Sequence, residues 1–330
     1  MIKKTESFHK LESAVCASLS QMSLVPIGRI DSVPNTSKYA PKCGRDDDIS
    51  ALKNIFFYMA KLNEITVKSQ SLCKGKVSSG FSLRDNLVAI ANYIFNYSKK
   101  RSIRYVELGP EPHKSTFILQ TLQNLGADIS SYVGIDINPQ SENTMRLSLS
   151  SVIPENKFLY VIHDYKTFDI ENIGHHNGLT IFTMMGFEEG NELPDTISDI
   201  LSNLMQPGDI LLSEMQILST SGFSPFIEFY ELSEMKKFSR EICKRFNFVS
   251  TDDHAIFIIP VKTCIGNVMT AATIIPYKKN RTFRYLLTNC CLKYTLEQFR
   301  QVRLYCGRFR ILDEFISGDR TVVYQLSVRL

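Results

Sequence analysis

What this 330-residue sequence lacks narrows it before any motif is read. No uninterrupted apolar run reaches the roughly 20 residues that span a bilayer, so no membrane partner is expected. The opening stretch MIKKTESFHKLESAVCASLSQMSLV starts basic but is broken by Glu6, His9, Lys10 and Glu12, and does not read as a secretion signal. Charge of one sign is scarce. The net charge is +4, and the short basic clusters at 278–284 and 300–310 read as solvated faces, so no nucleic-acid partner is expected either. Eight cysteines are present without a CxxC pair or a Cys/His spacing suited to zinc. They read as reduced thiols of a cytoplasmic protein, adjacent Cys290 and Cys291 included. His175-His176 has no third ligand at metal spacing, so no metal is expected. The GxGxxG run of a dinucleotide site is missing as well, and that disfavours NAD and FAD.

What is present is the composition of an ordinary globular protein, 44% apolar and 22% charged, long enough for one large domain or two modest ones. Residues 1–100 read as mostly helical. DDDISALKNIFFYMAKLNEI starts with capping acids and then repeats apolar side chains at helical spacing, and SLRDNLVAIANYIFNYSKK does the same with Ser82 as cap. The Pro-, Ser- and Gly-rich stretch 23–45 reads as irregular and surface-lying. From Ile103 short apolar runs alternate with helical ones, from IRYVELG through YVGIDI, KFLYVIHD and GLTIFTMMG to GDILLSEMQ. That alternation predicts a doubly wound α/β sheet. Beyond Gln216 comes a helical stretch, then strand-like runs around one helix at 296–305, ending in a hairpin turned at Gly318-Asp319.

Ligands of such sheets sit beyond the carboxyl ends of the strands. Three acids occupy those ends in order: Glu107 in VELGPEPHKST, Asp136 in YVGIDINPQ and Asp164 in YVIHDYKTFDI. Glu107 can accept from backbone amides or a ligand ammonium, Gly109 lets backbone approach closely, and the helix start can face a carboxylate. Asp136 stands where an acid takes two ribose hydroxyls, and Asp164 with Tyr165 suits an adenine amino group and ring edge. The plainer readings are a tight turn at Gly109-Pro110 and a helix cap at Asp164. Together the three acids favour S-adenosylmethionine as cofactor.

With these residues the chain resembles a class I S-adenosylmethionine-dependent methyltransferase, and more narrowly the histidine Nα-methyltransferase family of the ergothioneine pathway. VELGPEPHKST, YVGIDIN, HDY, the Gly190-Asn191 pair before a helix and Pro-Gly-Asp, Tyr230 in the following helical segment and CLKY at 291–294 are similar to that family's motifs in their order. The similarity covers roughly residues 103–330, and Lys114 stands one residue closer to the glycine than in the family. It implies cofactor contacts at Glu107, Gly109, Pro110, Lys114, Asp136, Ile137, Asp164 and Tyr165. It also implies that Asn191 and Tyr230 hold the ends of the substrate and orient its amine. Where the family grips an imidazole with Glu and Ser, this chain has Asn289 and Cys291, which cannot supply a carboxylate's charge.

Methyl transfer from a sulfonium is an in-line displacement that needs positioning and dryness more than covalent chemistry. Glu188 and Glu189, in the loop after the fourth strand, could bind a cationic amine or be solvated. The expected organisation is a helical region at 1–100, part of a substrate domain or a lid; a Rossmann-like methyltransferase core at 101–216; and a substrate-binding α+β region at 217–330. The expected activity is N-methylation of an amino acid or an amino-acid-derived small molecule. Alternatives are an aminoalkyl transferase resembling nicotianamine synthases, whose G-P-x-P stretch GPEPHKST loosely matches, and a non-catalytic cofactor-binding protein.

Overall fold

The strands that the alternation of apolar runs predicts pair into one twisted sheet. The computed structural model describes residues 10–23, 25–42, 46–68, 82–279 and 281–330; residues 1–9, Cys43 and Cys73 lie outside them. Helix α1 (Lys10–Ser23), strand β1 (Ile30–Ser32), helices α2 (Asn35–Tyr39), α3 (Asp46–Lys68) and α4 (Leu83–Ser98) precede the sheet. Then come β2 (Ile103–Leu108), α5 (Pro112–Asn124), β3 (Ile129–Asp136), α6 (Glu142–Leu149), β4 (Phe158–Ile162), β5 (Leu179–Met184), α7 (Pro194–Leu204) and β6 (Ile210–Gln216). Helices α8 (Ser224–Tyr230) and α9 (Ser233–Arg245) lead to β7 (Ala255–Thr263), β8 (Gly266–Lys279) and β9 (Thr282–Lys293). Helix α10 (Leu296–Leu304), β10 (Phe309–Ile316) and β11 (Val322–Arg329) close the chain.

The main sheet has the order β10-β11-β6-β5-β2-β3-β4. Its five strands from β4 to β6 are parallel, and β11 runs antiparallel to both β6 and β10. This is the mixed α/β, doubly wound sheet expected. Strand order reverses between β2 and β5, and the crevice beyond their carboxyl ends is where such a fold receives ligands. Strands β2 and β5 read as almost continuous apolar runs because helices cover both faces, and α4 is buried along Leu87, Ile90, Ala91 and Ile94. Ser82 caps α4 in a reciprocal box with Asp85, each accepting the other's backbone amide.

Two expectations about organisation change. The terminal hairpin is present, yet it extends the main sheet through β6 instead of belonging to a separate region at 217–330. Its strand β11 is buried along nearly its whole length, which only an interior place in the sheet provides. The stretch 23–45 is likewise not irregular throughout. It holds β1, which pairs in parallel with β9 at the edge of a second sheet, β1-β9-β8-β7, and it holds α2. Asp31 ties β1 down by accepting from Arg284 Nε at 2.6 Å and Nη2 at 2.7 Å.

Arg245, buried on α9, fixes α2. Its guanidinium donates to Asp48 of α3 at 2.6 and 3.1 Å and to the Ser37 carbonyl at 3.0 Å, with further contacts to the carbonyls of Lys38 and Ala40. The ion pair thereby joins α9, α3 and the last turn of α2, and so sets the side chains that α2 presents to the crevice. Among the described residues no helix is long and apolar enough to cross a membrane.

Candidate functional site

Gly109 has φ +69°, a backbone state that side chains other than glycine's enter with strain, so the chain leaves β2 in a sharp turn. Pro110 and Pro112 stiffen the segment that leads from it into α5. The acid between them, Glu111, is the N-cap of α5. Its carboxylate accepts from the amides of His113 at 3.1 Å and Ser115 at 3.0 Å, and from that of Lys114. The helix start therefore carries its own anion and does not face a ligand's carboxylate, contrary to the expectation from sequence. Burial, with Glu214 also near, pushes the Glu111 carboxyl above its ordinary range, while Lys114 pulls it back.

Two further expected contacts point inward. Glu107 is buried and accepts from Ser115 Oγ at 2.5 Å, Tyr132 Oη at 2.8 Å and the Glu111 amide at 3.1 Å. Burial and the neighbouring Glu111 push its pKa up to about 8. Lys114 is buried too, paired with Glu214 of β6 and donating to Asn63 Oδ1 at 3.0 Å. A carboxylate and a lysine next to a ligand turn are drawn inward here because each finds a buried partner.

The other six residues expected at the cofactor do come together. Gly109, Pro110, Asp136, Ile137, Asp164 and Tyr165 line one cleft of about 900 Å³, mouth included, at the switch point, and neither Glu107 nor Lys114 lines it. Asp136 accepts from the Asn138 amide at 3.0 Å and from Ser141 Oγ at 2.8 Å, and burial raises its pKa to about 6. Asp164 accepts from the Lys166 amide at 3.1 Å and from Thr36 Oγ1 of α2 at 3.3 Å. Tyr165 donates to Glu188 at 3.0 Å.

Glu188 reaches the cleft because Gly186 and Phe187, both at positive φ, turn the loop after β5 back on itself. Phe187 is a bulky residue in that region and costs about 1–3 kcal/mol of strain. The Glu188 side chain then lies over Gly109, 3.8 Å from where a β-carbon would stand. Its second oxygen accepts from Asn191 Nδ2 at 2.9 Å, and burial raises its pKa. Glu189 turns the other way, to Arg303 of α10 at 2.5 Å and to Ser213, and takes no part in the site. Gly190 fits where it is because a β-carbon would meet Cys291 Sγ at 2.5 Å and Met215 at 2.7 Å.

A second, much smaller cavity of about 30 Å³ lies beside the first and shares Tyr39, Met59, Asn63 and Gly186 with it. Asn191, Tyr230, Asn289 and Cys291, all expected at the substrate, line this second cavity, and Glu188 lines the first. Sequence reasoning missed the wall opposite the sheet. Asn35, Thr36 and Tyr39 come from α2, and Phe56, Met59 and Asn63 from α3. Their one signal was the apolar stripe of α3, which reads equally as core. Lys166 and Glu192 were missed as well. They form a buried ion pair at the cleft edge, and burial raises the Glu192 pKa to about 7.

The electrostatics of the cleft are one-sided. Asp136, Asp164, Glu188 and Glu192 face it, Glu111 has filled the adjacent helix start, and Lys166 is the one basic residue lining it among the described residues. Such a cleft attracts cations and repels phosphates. Among the described residues no group of His, Cys, Asp and Glu is arranged to hold a metal ion.

Fold and site thus define a doubly wound α/β protein with an acid-lined ligand cleft at its switch point and a second, uncharged cavity behind it. No protein-family model and no curated protein sequence matches the chain. Among solved structures it is similar to an S-adenosylmethionine-dependent methyltransferase from Clostridium acetobutylicum, at 10% identity over 83% of this chain and 98% of that one, with a TM-score of 0.45. It is also similar to the CcbJ methyltransferase from Streptomyces caelestis, at 10% identity over 82% and 97%, TM-score 0.42. A third is S-adenosylmethionine-bound CalS10, an amino pentose methyltransferase from Micromonospora echinaspora, at 11% identity over 74% and 91%, TM-score 0.39.

Proposed function

We propose that the chain is an S-adenosylmethionine-dependent N-methyltransferase acting on the amine of an amino acid or an amino-acid-derived small molecule. One observation carries this reading. The cleft at the switch point presents Asp136, Asp164 and Glu188 and has no helix start open to an anion, because Glu111 caps α5. A dinucleotide needs the reverse arrangement, amides around a pyrophosphate. A ligand with a sulfonium, an ammonium, a ribose and an adenine needs acids and a close backbone turn, and these residues fit it.

In this reading Asp136 takes the ribose hydroxyls, Asp164 and Tyr165 take the adenine amino group and ring edge, and the Gly109 turn admits the amino-acid end. The cofactor supplies an electrophilic methyl group. The chain's own residues do the rest. Asn191 and Tyr230 orient the acceptor amine, Glu188 accepts a hydrogen bond from it in its neutral form, whose lone pair attacks the methyl, and α2 and α3 cover the cleft so that water is kept out. The likeness to histidine Nα-methyltransferases supports an amine acceptor, while Asn289 and Cys291 argue against histidine itself.

The test is calorimetric titration with S-adenosylmethionine beside Asp136→Ala, then incubation with free amino acids and small amines. Micromolar binding that the variant loses, with S-adenosylhomocysteine formed, is the expected result. Methylthioadenosine as product would instead identify an aminoalkyl transferase, and no binding would remove the reading.

A further inference from the structure

A third cavity lies at the other end of the main sheet, beyond the amino ends of β2, β5 and β6, with room of about 430 Å³. It exists because one crossover lacks its cover. The crossovers before β3, β4 and β6 carry α5, α6 and α7, whereas the one before β5 holds a single short helical turn, Ile170–Ile173. Tyr105 of β2 points to Ser115 of α5, with its hydroxyl 3.5 Å from Ser115 Oγ. Its neighbour Arg104 therefore lies on the face turned away from α5, where that missing helix would have packed.

Three residues stand in a row on this face. Arg104 pairs with Thr180 across β2 and β5, and Asp209 lies one step ahead of the Ile181–Ile210 pair that joins β5 to β6. Neighbouring strands are about 4.8 Å apart, so the backbones of Arg104 and Asp209 are separated by roughly 10 Å, with Thr180 between them. Arg104 is held in place without being neutralised. Its Nη1 donates to the Gly174 carbonyl at 2.7 Å and its Nη2 to the His175 carbonyl at 2.9 Å. Asp209 accepts from the Gln206 amide at 2.7 Å, which leaves its charge uncompensated too. Burial lowers the Arg104 pKa and raises that of Asp209 to about 6, while each charge favours the other. Among the described residues no ion pair joins them.

The other titratable groups of the cavity leave this gap alone. Arg101, Glu171 and His175 are exposed, and the half-buried His176 turns its ring to the Ser102 carbonyl at 3.3 Å. A lone anion entering the gap would stand beside Asp209, and a lone cation beside Arg104. A molecule that carries both charges next to a single carbon satisfies each of them at once. Ile170, Phe182 and Pro207 add apolar wall for a side chain on that carbon.

We propose that this cavity binds an α-amino acid with an apolar side chain, its carboxylate at Arg104 and its ammonium at Asp209. No residue of the cavity lines the cleft at the switch point, so the inference is independent of the methyltransferase reading.

The experiment titrates the full chain by calorimetry with L-leucine, with isocaproate, which lacks the ammonium, and with isoamylamine, which lacks the carboxylate. L-leucine should bind at least tenfold more tightly than either. Asp209→Asn keeps the shape and an oxygen for the Gln206 amide, and should weaken L-leucine at least tenfold without weakening isocaproate. Arg104→Met should weaken L-leucine as much without weakening isoamylamine. Circular dichroism melts report whether each variant folds, and if Arg104→Met does not, Asp209→Asn alone decides. No binding of L-leucine, binding no tighter than that of its two fragments, or binding that the folded variants leave intact would overturn the inference. The last outcome would move the amino acid to the cleft at the switch point.

Discussion

Two sets of carboxylates stand around the same turn and do opposite work. Glu107, turned inward, and Glu111, at the rim of the cleft, form an inner set that spends its lone pairs on Ser115, Tyr132 and the amides that open α5. Asp136, Asp164 and Glu188 face the cleft, each holding the loops in place with one or two bonds while keeping capacity toward the cavity. The difference lies in what each acid can reach. The inner acids sit at the start of α5, whose amides and Ser115 take up their oxygens, whereas the outer ones, though each also accepts from a hydroxyl, stand at or past the strand ends, where the fold leaves a crevice. The inner set shapes the turn and the outer set sets the charge of the space the turn encloses.

The strongest way to break this comparison uses Lys114, whose buried partner is Glu214 of β6. Lys114→Met leaves that carboxylate unpaired, so urea denaturation should show a loss of about 3–5 kcal/mol. Unchanged stability with weakened S-adenosylmethionine binding would move Lys114 to the outer, ligand-facing set. Next comes Asp136→Asn, expected to weaken S-adenosylmethionine by about 30-fold, roughly 2 kcal/mol, while stability stays within about 0.5 kcal/mol. Because Asp136 takes up a proton near pH 6, native affinity should fall toward the variant's as pH drops through that value. A flat pH profile would take Asp136 out of the ligand-facing set.

Glu111→Ala removes a helix cap and should cost about 1–2 kcal/mol in thermal unfolding. A neutral result would mean that the α5 amides find another acceptor. The smallest signal is a slope. With its pKa raised from 4.5 to about 8, folded Glu107 keeps a proton that the unfolded chain has already lost, so its contribution to stability falls as pH rises through that window. Melting curves of Glu107→Gln should fall less steeply from pH 5 to pH 8 than those of the native chain. Parallel curves would show that Glu107 ionises normally.

Much of this was legible in the sequence because strand ends announce themselves. An apolar run that stops at an acid, as in YVGID or YVIHD, marks both the element and the side chain that emerges from it. The inner acids were harder. Glu107 obeys the same pattern, and nothing in a one-dimensional reading says that Ser115, one helical turn into α5, folds back to claim it. The start of α5 looked open to a ligand's carboxylate because a cap and an anion site use the same amides, and Glu111 takes them. The cover formed by α2 was out of reach for a different reason. It depends on Arg245, some two hundred residues downstream, and on β1 pairing with β9, both long-range events without local periodicity.

The place of β11 has a consequence for how the chain comes to be made. It is the last strand of its sheet to leave the ribosome, yet it lies between β6 and β10, both of which exist before it. During synthesis the edge of β6 waits open, a ready template for pairing with other chains. A transcript cut short ahead of Val322 yields a protein whose β6 and β10 never meet, and delivery of these eight residues is the event that closes the sheet.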